Sequence, residues 1–390
     1  MAIIIGIDLG TSKICALAYD TAKRRCLALR SAANSADVTG LPPSWHEQNP
    51  ALIFEIVLGV MRELLDDEVV QRAEVAGIGI SGQMHGVLLV DAKNLQPLSN
   101  LITWRDQRTL EEGAKGSLAE ARERCQTTVT PHTGCTLHAG YGAATLFWLG
   151  VNGLLSEQAR ALSLADFLVA RLTGQIAAEP THAASWGILD LVHGDWHWEM
   201  AARLSLPKAI LPPLLPSAAP AAGLLPDIAG ALGLAPTVRV CSPVGDNQAS
   251  YFGAVGLSAE ATVINLGTGG QISVPVSVYQ EVAGMETRPL PFGGYLLVAA
   301  TLCAGWAYAY LCRFFQQVCE EIGGVRLSEE KIYNRMQALI IDIPAGANGM
   351  KADTRFLGTR DDPSCRGLSL IHISEPTRLL SISYAVFCLK

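Results

Sequence analysis

The sequence predicts an α/β protein made of two related halves, each opened by a β-hairpin with a Gly-Thr turn. Three observations carry this prediction. Gly6-Ile7-Asp8-Leu9-Gly10-Thr11-Ser12 is echoed by Ile264-Asn265-Leu266-Gly267-Thr268-Gly269-Gly270. Each copy follows an apolar strand-like run, Ala2–Ile7 and Ala261–Leu266, and precedes another, Ile14–Tyr19 and Gln271–Val276. The 390 residues are 49% hydrophobic and only 17% charged, enough for two buried cores and unlike a disordered chain. Backbone N–H groups in glycine turns approach phosphate oxygens closely, because no side chain stands in the way. Two such turns point to two halves gripping one polyphosphate from opposite sides. Asp8 has Asn265 as its counterpart, so only the first half offers a carboxylate for Mg²⁺.

The elements follow in order. Residues 1–20 form the first hairpin. Ala51–Glu68 is an amphipathic helix, with apolar Ile53, Ile56, Val57, Val60, Leu64 and Leu65 at helical spacing. Val75–Ile80 and Val87–Asp91 are strands around Ser81-Gly82-Gln83-Met84-His85-Gly86, and Leu101–Trp104 ends another. Ala143–Leu149 and Ala161–Leu172 are expected to be helices. Seven prolines between Pro207 and Pro236 predict an irregular connector with short helical pieces. Thr237–Cys241 is a strand. Gly245-Asp246-Asn247-Gln248 then opens a helix through Ala254, with Asp246 expected as its cap. The domain boundary is expected near this point. Pro289–Cys312 carries no charged residue and is long enough to span a bilayer. Gly293-Gly294 and Gly305 divide it into a strand, Tyr295–Leu302, and a helix, Trp306–Phe315, so no membrane segment is expected.

A net charge of −7 and the lack of any Lys/Arg run exclude a general nucleic-acid binder. Ten cysteines without a CxxC pair exclude a zinc ribbon or disulfide scaffold and fit reduced thiols in the cytoplasm. No basic region precedes the N-terminal apolar run, and Asp8 interrupts that run, so a signal peptide is not expected. Cys312, Cys319, His132 and His138 show no metal-ligand spacing.

Three motifs carry chemistry, each beside a plainer alternative. Asp246, at a strand-to-helix junction, is either a cap or a general base that accepts a proton from an attacking hydroxyl; a helix N-terminus keeps such a carboxylate ionised. Gln83, Met84 and His85, between glycines, suit a polyol-binding loop or a structural histidine. Trp104-Arg105-Asp106 is either a surface ion pair under an anchored indole or a sugar site. There the ring would pack on carbons while Arg105 and Asp106 bond hydroxyls.

Gly6–Ser12, Gly79–Gly86 (GISGQMHG), Trp104–Arg108 (WRDQR), Gly245–Gln248 and Asn265–Gly269 stand in the order found in the FGGY carbohydrate kinases. The chain resembles that family over residues 1–367. Within it, Tyr141–Leu149 and Ala183–Gly187 are most similar to sedoheptulokinases, while xylulokinases share GQMHG. The resemblance implies the actin-like ATPase fold: two RNase H-like α/β domains, the first over 1–245 and an incomplete second over 246–367. It implies transfer of the ATP γ-phosphate to a terminal hydroxyl of a ketose, sedoheptulose first and xylulose as the alternative. Asp246 matches the catalytic base and Asp8 the Mg²⁺-linked acid. Gly10, Thr11, Ser12, Gly267, Thr268 and Gly269 match the phosphate loops. Met84, His85, Trp104 and Asp246 match the sugar pocket, and Gln83 joins it; Arg105 and Asp106 are the further candidates there from the motif itself. The implied partners are ATP, Mg²⁺ and the ketose, with a homodimer left open and no nucleic acid or membrane.

Two departures stand out. Lys13 comes early, and Cys15 occupies a position where relatives carry a basic residue. Phe356–Pro363 and Arg366-Gly367 still fit the family, but Leu370–Lys390 resembles translated adapter DNA. Residues 368–390 are therefore expected to be an artefactual tail on a truncated chain that binds ATP poorly. Two rival readings remain. One is a filament or chaperone ATPase of the same fold, which does not need Met84-His85 or Trp104–Asp106. The other is a non-enzymatic fragment that binds sugar without turning it over.

Overall fold

The computed structural model describes residues 2–126, 132–256, 261–349, 351–356 and 369–370. The family-like segment beyond Phe356 and the adapter-like tail beyond Leu370 lie outside the described residues. The chain divides into two units, Met1–Ala261 with Val274–Leu297, and Thr262–Ser273 with Val298–Lys390.

In the first unit, alternation builds the sheet. Ile3, Ile5, Ile7 and Leu9 of β1 (Ile3–Leu9) are all buried while the residues between them are not, the two-residue period of a strand. β2 (Lys13–Asp20) folds back antiparallel with Leu9 opposite Ile14, and β3 (Arg25–Ala33) extends the sheet. α1 (Pro50–Leu65) starts where Asn49 accepts hydrogen bonds from the Ala51 and Leu52 N–H groups and Pro50 pre-sets the first turn. Its Ile53, Val57, Met61 and Leu64 enter the core. β4 (Val75–Gly82) then pairs parallel to β1, which sets Asp8 beside Ser81.

β5 (Leu88–Asp91), β6 (Leu101–Ile102) and α2 (Gly142–Val151) build a second apolar cluster around Phe147 and Trp186. Ala161–Leu172, expected as one helix, is instead β7 (Ala159–Leu162) followed by α3 (Leu164–Thr173). The strand pairs antiparallel with β5, and the Ser163 hydroxyl caps α3 by accepting the Asp166 N–H. A tertiary partner thus overrides local helical spacing.

α4 (Pro180–Ala184) is capped by Glu179. β8 (Pro220–Gly223), α5 (Pro226–Leu232), β9 (Arg239–Cys241), β10 (Val244–Gly245) and α6 (Asp246–Val255) complete this part. The sheet order is β8–β9–β4–β1–β2–β3, with β10 beside the end of β4. Residues of α1, α3 and α5 share one core with it.

The second unit opens on β11 (Val263–Leu266) and the start of β12 (Gly270–Val276), an antiparallel pair with Leu266 opposite Gly270. β13 (Glu286–Pro289) belongs to the first unit, and the chain crosses between units inside β12 and inside β14 (Tyr295–Thr301). α7 (Gly305–Glu321) and α8 (Glu329–Ile340) follow, meeting through Cys312, Ile332 and Met336. Among the described residues no helix is long and apolar enough to cross a membrane. Nor do they hold a group of three His, Cys, Asp or Glu side chains placed for a metal ion.

Candidate active site

The first turn is built around Thr11. The Gly10 N–H closes the hairpin on the Lys13 carbonyl at 3.0 Å. A Cβ on Gly10 would stand 2.7 Å from that same oxygen, so the turn requires glycine. The Gly10 amide is therefore spent inside the hairpin and not offered outward, contrary to the sequence expectation. The Thr11 hydroxyl donates to Gln83 Oε1 at 3.1 Å and accepts from Trp104 Nε1 at 2.9 Å. Asn34 Nδ2 donates to the Gly10 carbonyl, and Gln48 Nε2 to that of Thr11. Gln83 Nε2 returns to Gln48 Oε1 at 3.0 Å and closes the network. Asp8 lies exposed at the strand end, its Oδ1 accepting from the Ser81 hydroxyl at 2.7 Å.

Asp246 comes to the same end of the sheet, because β10 pairs with Ser81 and Gly82 of β4. The cap of α6 is Gly245, and Asp246 is the first helical residue. This shifts the sequence expectation by one position. Packing is close at this junction: a Cβ on Gly245 would lie 2.7 Å from Met84 Sδ, the flexible end of that side chain. The Asp246 side chain reaches solvent but has protein on most sides. Desolvation pushes its pKa up to about 6, with the charge of Asp8 adding to the rise and Arg288 and the Asn247 N–H opposing it.

A polar chain runs away from Asp246. Arg288 on β13 donates from Nη1 to Asn247 Oδ1 at 3.1 Å and pairs with Glu286 Oε2 at 2.6 Å. Glu286 Oε1 accepts from the Tyr141 hydroxyl at 2.6 Å. Burial works against the Glu286 charge, but Arg288, His85 and the Tyr141 hydroxyl outweigh it and bring its pKa down to about 2. The Tyr141 ring stacks on His85, centroids 4.2 Å apart. His85 sits in the left-handed region at φ 72°, with Nδ1 2.9 Å from the Ser185 carbonyl, so that nitrogen carries the proton. Arg288, Glu286, Tyr141 and Asn247 were not picked out as site residues from the sequence. Tyr141 opens the family-like stretch 141–149, which was a signal, whereas Glu286 and Arg288 have no local signature.

Trp104 is 43% exposed, and Arg105 lies beside it with Nη1 3.0 Å from His46 Nε2. Asp106 turns inward. Only 2% of it is exposed, and its carboxylate accepts from the His46 N–H, the Arg108 N–H and the Arg108 guanidinium. Arg108 in turn pairs with Glu47 and lies over the Trp45 ring. Asp106 thus anchors the loop that presents Trp104, in place of the sugar-facing position expected from the sequence. Met84, 4% exposed, packs under Gly245.

In the second unit, the Gly267 N–H closes its turn on the Gly269 carbonyl at 3.0 Å. The Thr268 carbonyl accepts from Ala304 and Trp306 at the start of α7, and Gly305 N–H donates to the Gly267 carbonyl at 2.9 Å.

Comparison with known proteins adds the family. The N-terminal domain of the FGGY family of carbohydrate kinases matches residues 3–253. The chain belongs to the FGGY family of carbohydrate kinases. It is 28% identical to a xylulose kinase of Bacillus subtilis, over 94% of this chain and 71% of that protein. It is 31% identical to a xylulose kinase of Escherichia coli, over 68% of this chain and 53% of that protein, and so spans about half the length of that relative. It is 27% identical to a mouse sedoheptulokinase, over 86% of this chain and 73% of that protein. Among solved structures, a xylulose kinase from Rhodospirillum rubrum superposes with a TM-score of 0.80 at 22% identity, covering 99% of this chain and 78% of that one. A glycerol kinase from Plasmodium falciparum, solved with ADP, gives 0.74 at 17%, covering 96% and 74%. The FGGY kinase fold, an actin-like ATPase fold, is therefore the fold of this chain.

Proposed function

We propose that this chain transfers the γ-phosphoryl group of ATP to a terminal hydroxyl of a ketose, with Asp246 as general base. The observation that carries this reading is the Asp246 carboxylate. It opens α6 at the same sheet end as Asp8 and Thr11, with its pKa raised to about 6. A base with a pKa just below neutrality is ionised at pH 7 and still accepts a proton well. Positioned bases contribute roughly 10²–10⁴-fold in rate.

The residues present fit the nucleotide and its metal. Asp8 offers an exposed carboxylate oxygen, the hard donor that Mg²⁺ favours, and Thr11 and Ser12 form a tight turn beside it. Bound there, Mg²⁺ would offset phosphate charge. Gln83 and Trp104 fix the Thr11 hydroxyl, so the turn is rigid before any ligand arrives. Trp104 supplies an exposed ring for the sugar carbons, Asn247 follows Asp246 on α6, and Arg105 adds donors. Asp106 supports this loop from within. Thr268 and Gly269 offer a second turn of the same pattern. Sedoheptulose is favoured by Tyr141–Leu149 and Ala183–Gly187. Xylulose is the second reading, favoured by the relatives of 28% and 31% identity.

The test is a transfer assay with ATP against sedoheptulose, xylulose, gluconate and glycerol. Phosphorylation of one or both ketoses above the other two is expected. ATP hydrolysis that no polyol stimulates would contradict the reading.

A further inference from the structure

Beneath α6 lies a buried polar chain that the reaction does not touch. Thr181, on α4, is 1% exposed, and its hydroxyl accepts the Gly245 N–H at 2.7 Å. Gly245 is the residue from which α6 starts, one position before Asp246. The same hydroxyl donates to Glu179 Oε2 at 2.5 Å. A threonine hydroxyl has one proton. Because Glu179 takes it, a lone pair must face Gly245. Glu179 is itself fully buried and held in place: Oε2 also accepts the Thr181 and His182 N–H groups, and Oε1 accepts from the Ser217 hydroxyl. Its own N–H donates to Asp166 Oδ1 at 3.0 Å, and Asp166 Oδ2 accepts from the Ser163 hydroxyl at 2.6 Å, which ties the chain to the start of α3.

We infer that Thr181 and Glu179 form a positioning relay that fixes the origin of α6 and, through it, the direction of the Asp246 carboxylate. The relay rests on Asp246 being the base. Other contacts at Gly245 do not replace it. β10 pairs with β4 over only two residues, and Met84 fills the space a Cβ would need without offering a strong acceptor for the N–H. Two carboxylates buried this deeply are costly to hold, and Glu179 has its pKa pushed up to about 7 by desolvation. A purely structural corner could have been apolar. The polar chain is explained by the one thing an apolar corner cannot provide, a directional acceptor for the amide that begins the helix.

The test compares Thr181→Val, which keeps shape and loses the acceptor, with Thr181→Ser, which restores it. Three readouts are taken on the full chain: kcat and KM for the ketose, Gly245 amide exchange by NMR, and exchange of the Ile5 and Ile78 amides in the sheet. Thr181→Val is expected to lower kcat about 10²-fold, the cost of a misplaced reacting group, with KM unchanged. It should speed exchange at Gly245 and leave Ile5 and Ile78 protected, and Thr181→Ser should return both kcat and Gly245 exchange to wild type. Thr181→Val at wild-type kcat beside an inactive Asp246→Asn would overturn the relay and leave the kinase reading standing. Equal exchange gains at Gly245, Ile5 and Ile78, or no rescue by serine, would also overturn it. A wild-type chain that phosphorylates no polyol would refute the kinase reading instead. Gly245 exchange then decides by itself whether Thr181 holds α6.

Discussion

The two Gly-Thr turns share a sequence pattern but are held by different means. The first is gripped by side chains far away in sequence. Asn34, Gln48, Gln83 and Trp104 all bond Gly10 or Thr11, with separations up to 93 residues. In the second, the described hydrogen bonds are backbone ones, from Ala304, Gly305 and Trp306 at the start of α7. The flanks differ too. Leu9 and Ile14 beside the first turn are fully buried, whereas Leu266 beside the second is 75% exposed. The motif encodes the turn itself, and the rest of the chain decides whether that turn is a rigid fixture. The acid differs likewise, Asp8 in the first copy and Asn265 in the second.

Substituting equivalent glycines breaks the comparison most sharply. A Cβ on Gly10 meets the Lys13 carbonyl at 2.7 Å, while one on Gly267 finds nothing nearer than 3.8 Å. Gly10→Ala should cost about 1–3 kcal/mol in urea unfolding, the range for overpacking, and Gly267→Ala no more than about 0.5 kcal/mol. Equal costs would mean that the two turns are equally constrained.

The threonines come next. Thr11→Val strips Gln83 Oε1 of its donor and Trp104 Nε1 of its acceptor. Leaving a buried polar atom unpaired costs about 1–3 kcal/mol, reduced here because the indole is half exposed. Thr268→Val, at an exposed residue, should stay within about 0.5 kcal/mol. The same unfolding measurement checks both.

The smallest effect copies the second turn into the first. Desolvation is the main cause of the raised Asp246 pKa, and the Asp8 charge adds to it. Asp8→Asn should therefore lower the Asp246 titration midpoint from about 6, followed by carboxyl ¹³C NMR. The sign follows from charge: removing a nearby negative group makes ionisation easier. The raised pKa lets the folded chain hold this proton more tightly than the unfolded one between pH 3.8 and about 6, so its contribution to stability falls as pH rises through that window. In Asp8→Asn the window should narrow from its upper edge. An unmoved midpoint would leave burial as the whole cause.

Much of this was legible in the sequence, for local reasons. Both hairpins, α1 and the helix after Gly245 follow from two- and 3.6-residue periods and from glycine and proline placement, which neighbouring residues alone encode. The Ala159–Leu162 strand was hidden because four short residues ahead of a helix acquire strand character only by pairing with β5. The inward turn of Asp106 was hidden because it depends on Arg108 lying over Trp45, some sixty residues away. The Tyr141–Glu286–Arg288–Asn247 chain joins residues up to 145 apart, so no window of sequence contains it. The Asp166–Glu179–Thr181 relay lies on short segments whose local patterns announce only caps.

The central claim is that Asp246 takes the proton of the attacking hydroxyl. The direct measurement is phosphoryl transfer from ATP to the preferred ketose, as kcat and as kcat/KM against pH, in the wild-type chain and in Asp246→Asn. The wild type should lose kcat/KM as pH falls below about 6, where the carboxylate protonates. Asp246→Asn should lose about 10²–10⁴-fold in kcat while calorimetry shows ketose binding preserved. An Asp246→Asn chain that turns over at near the wild-type rate, with the acidic limb of the profile still in place, would contradict the account.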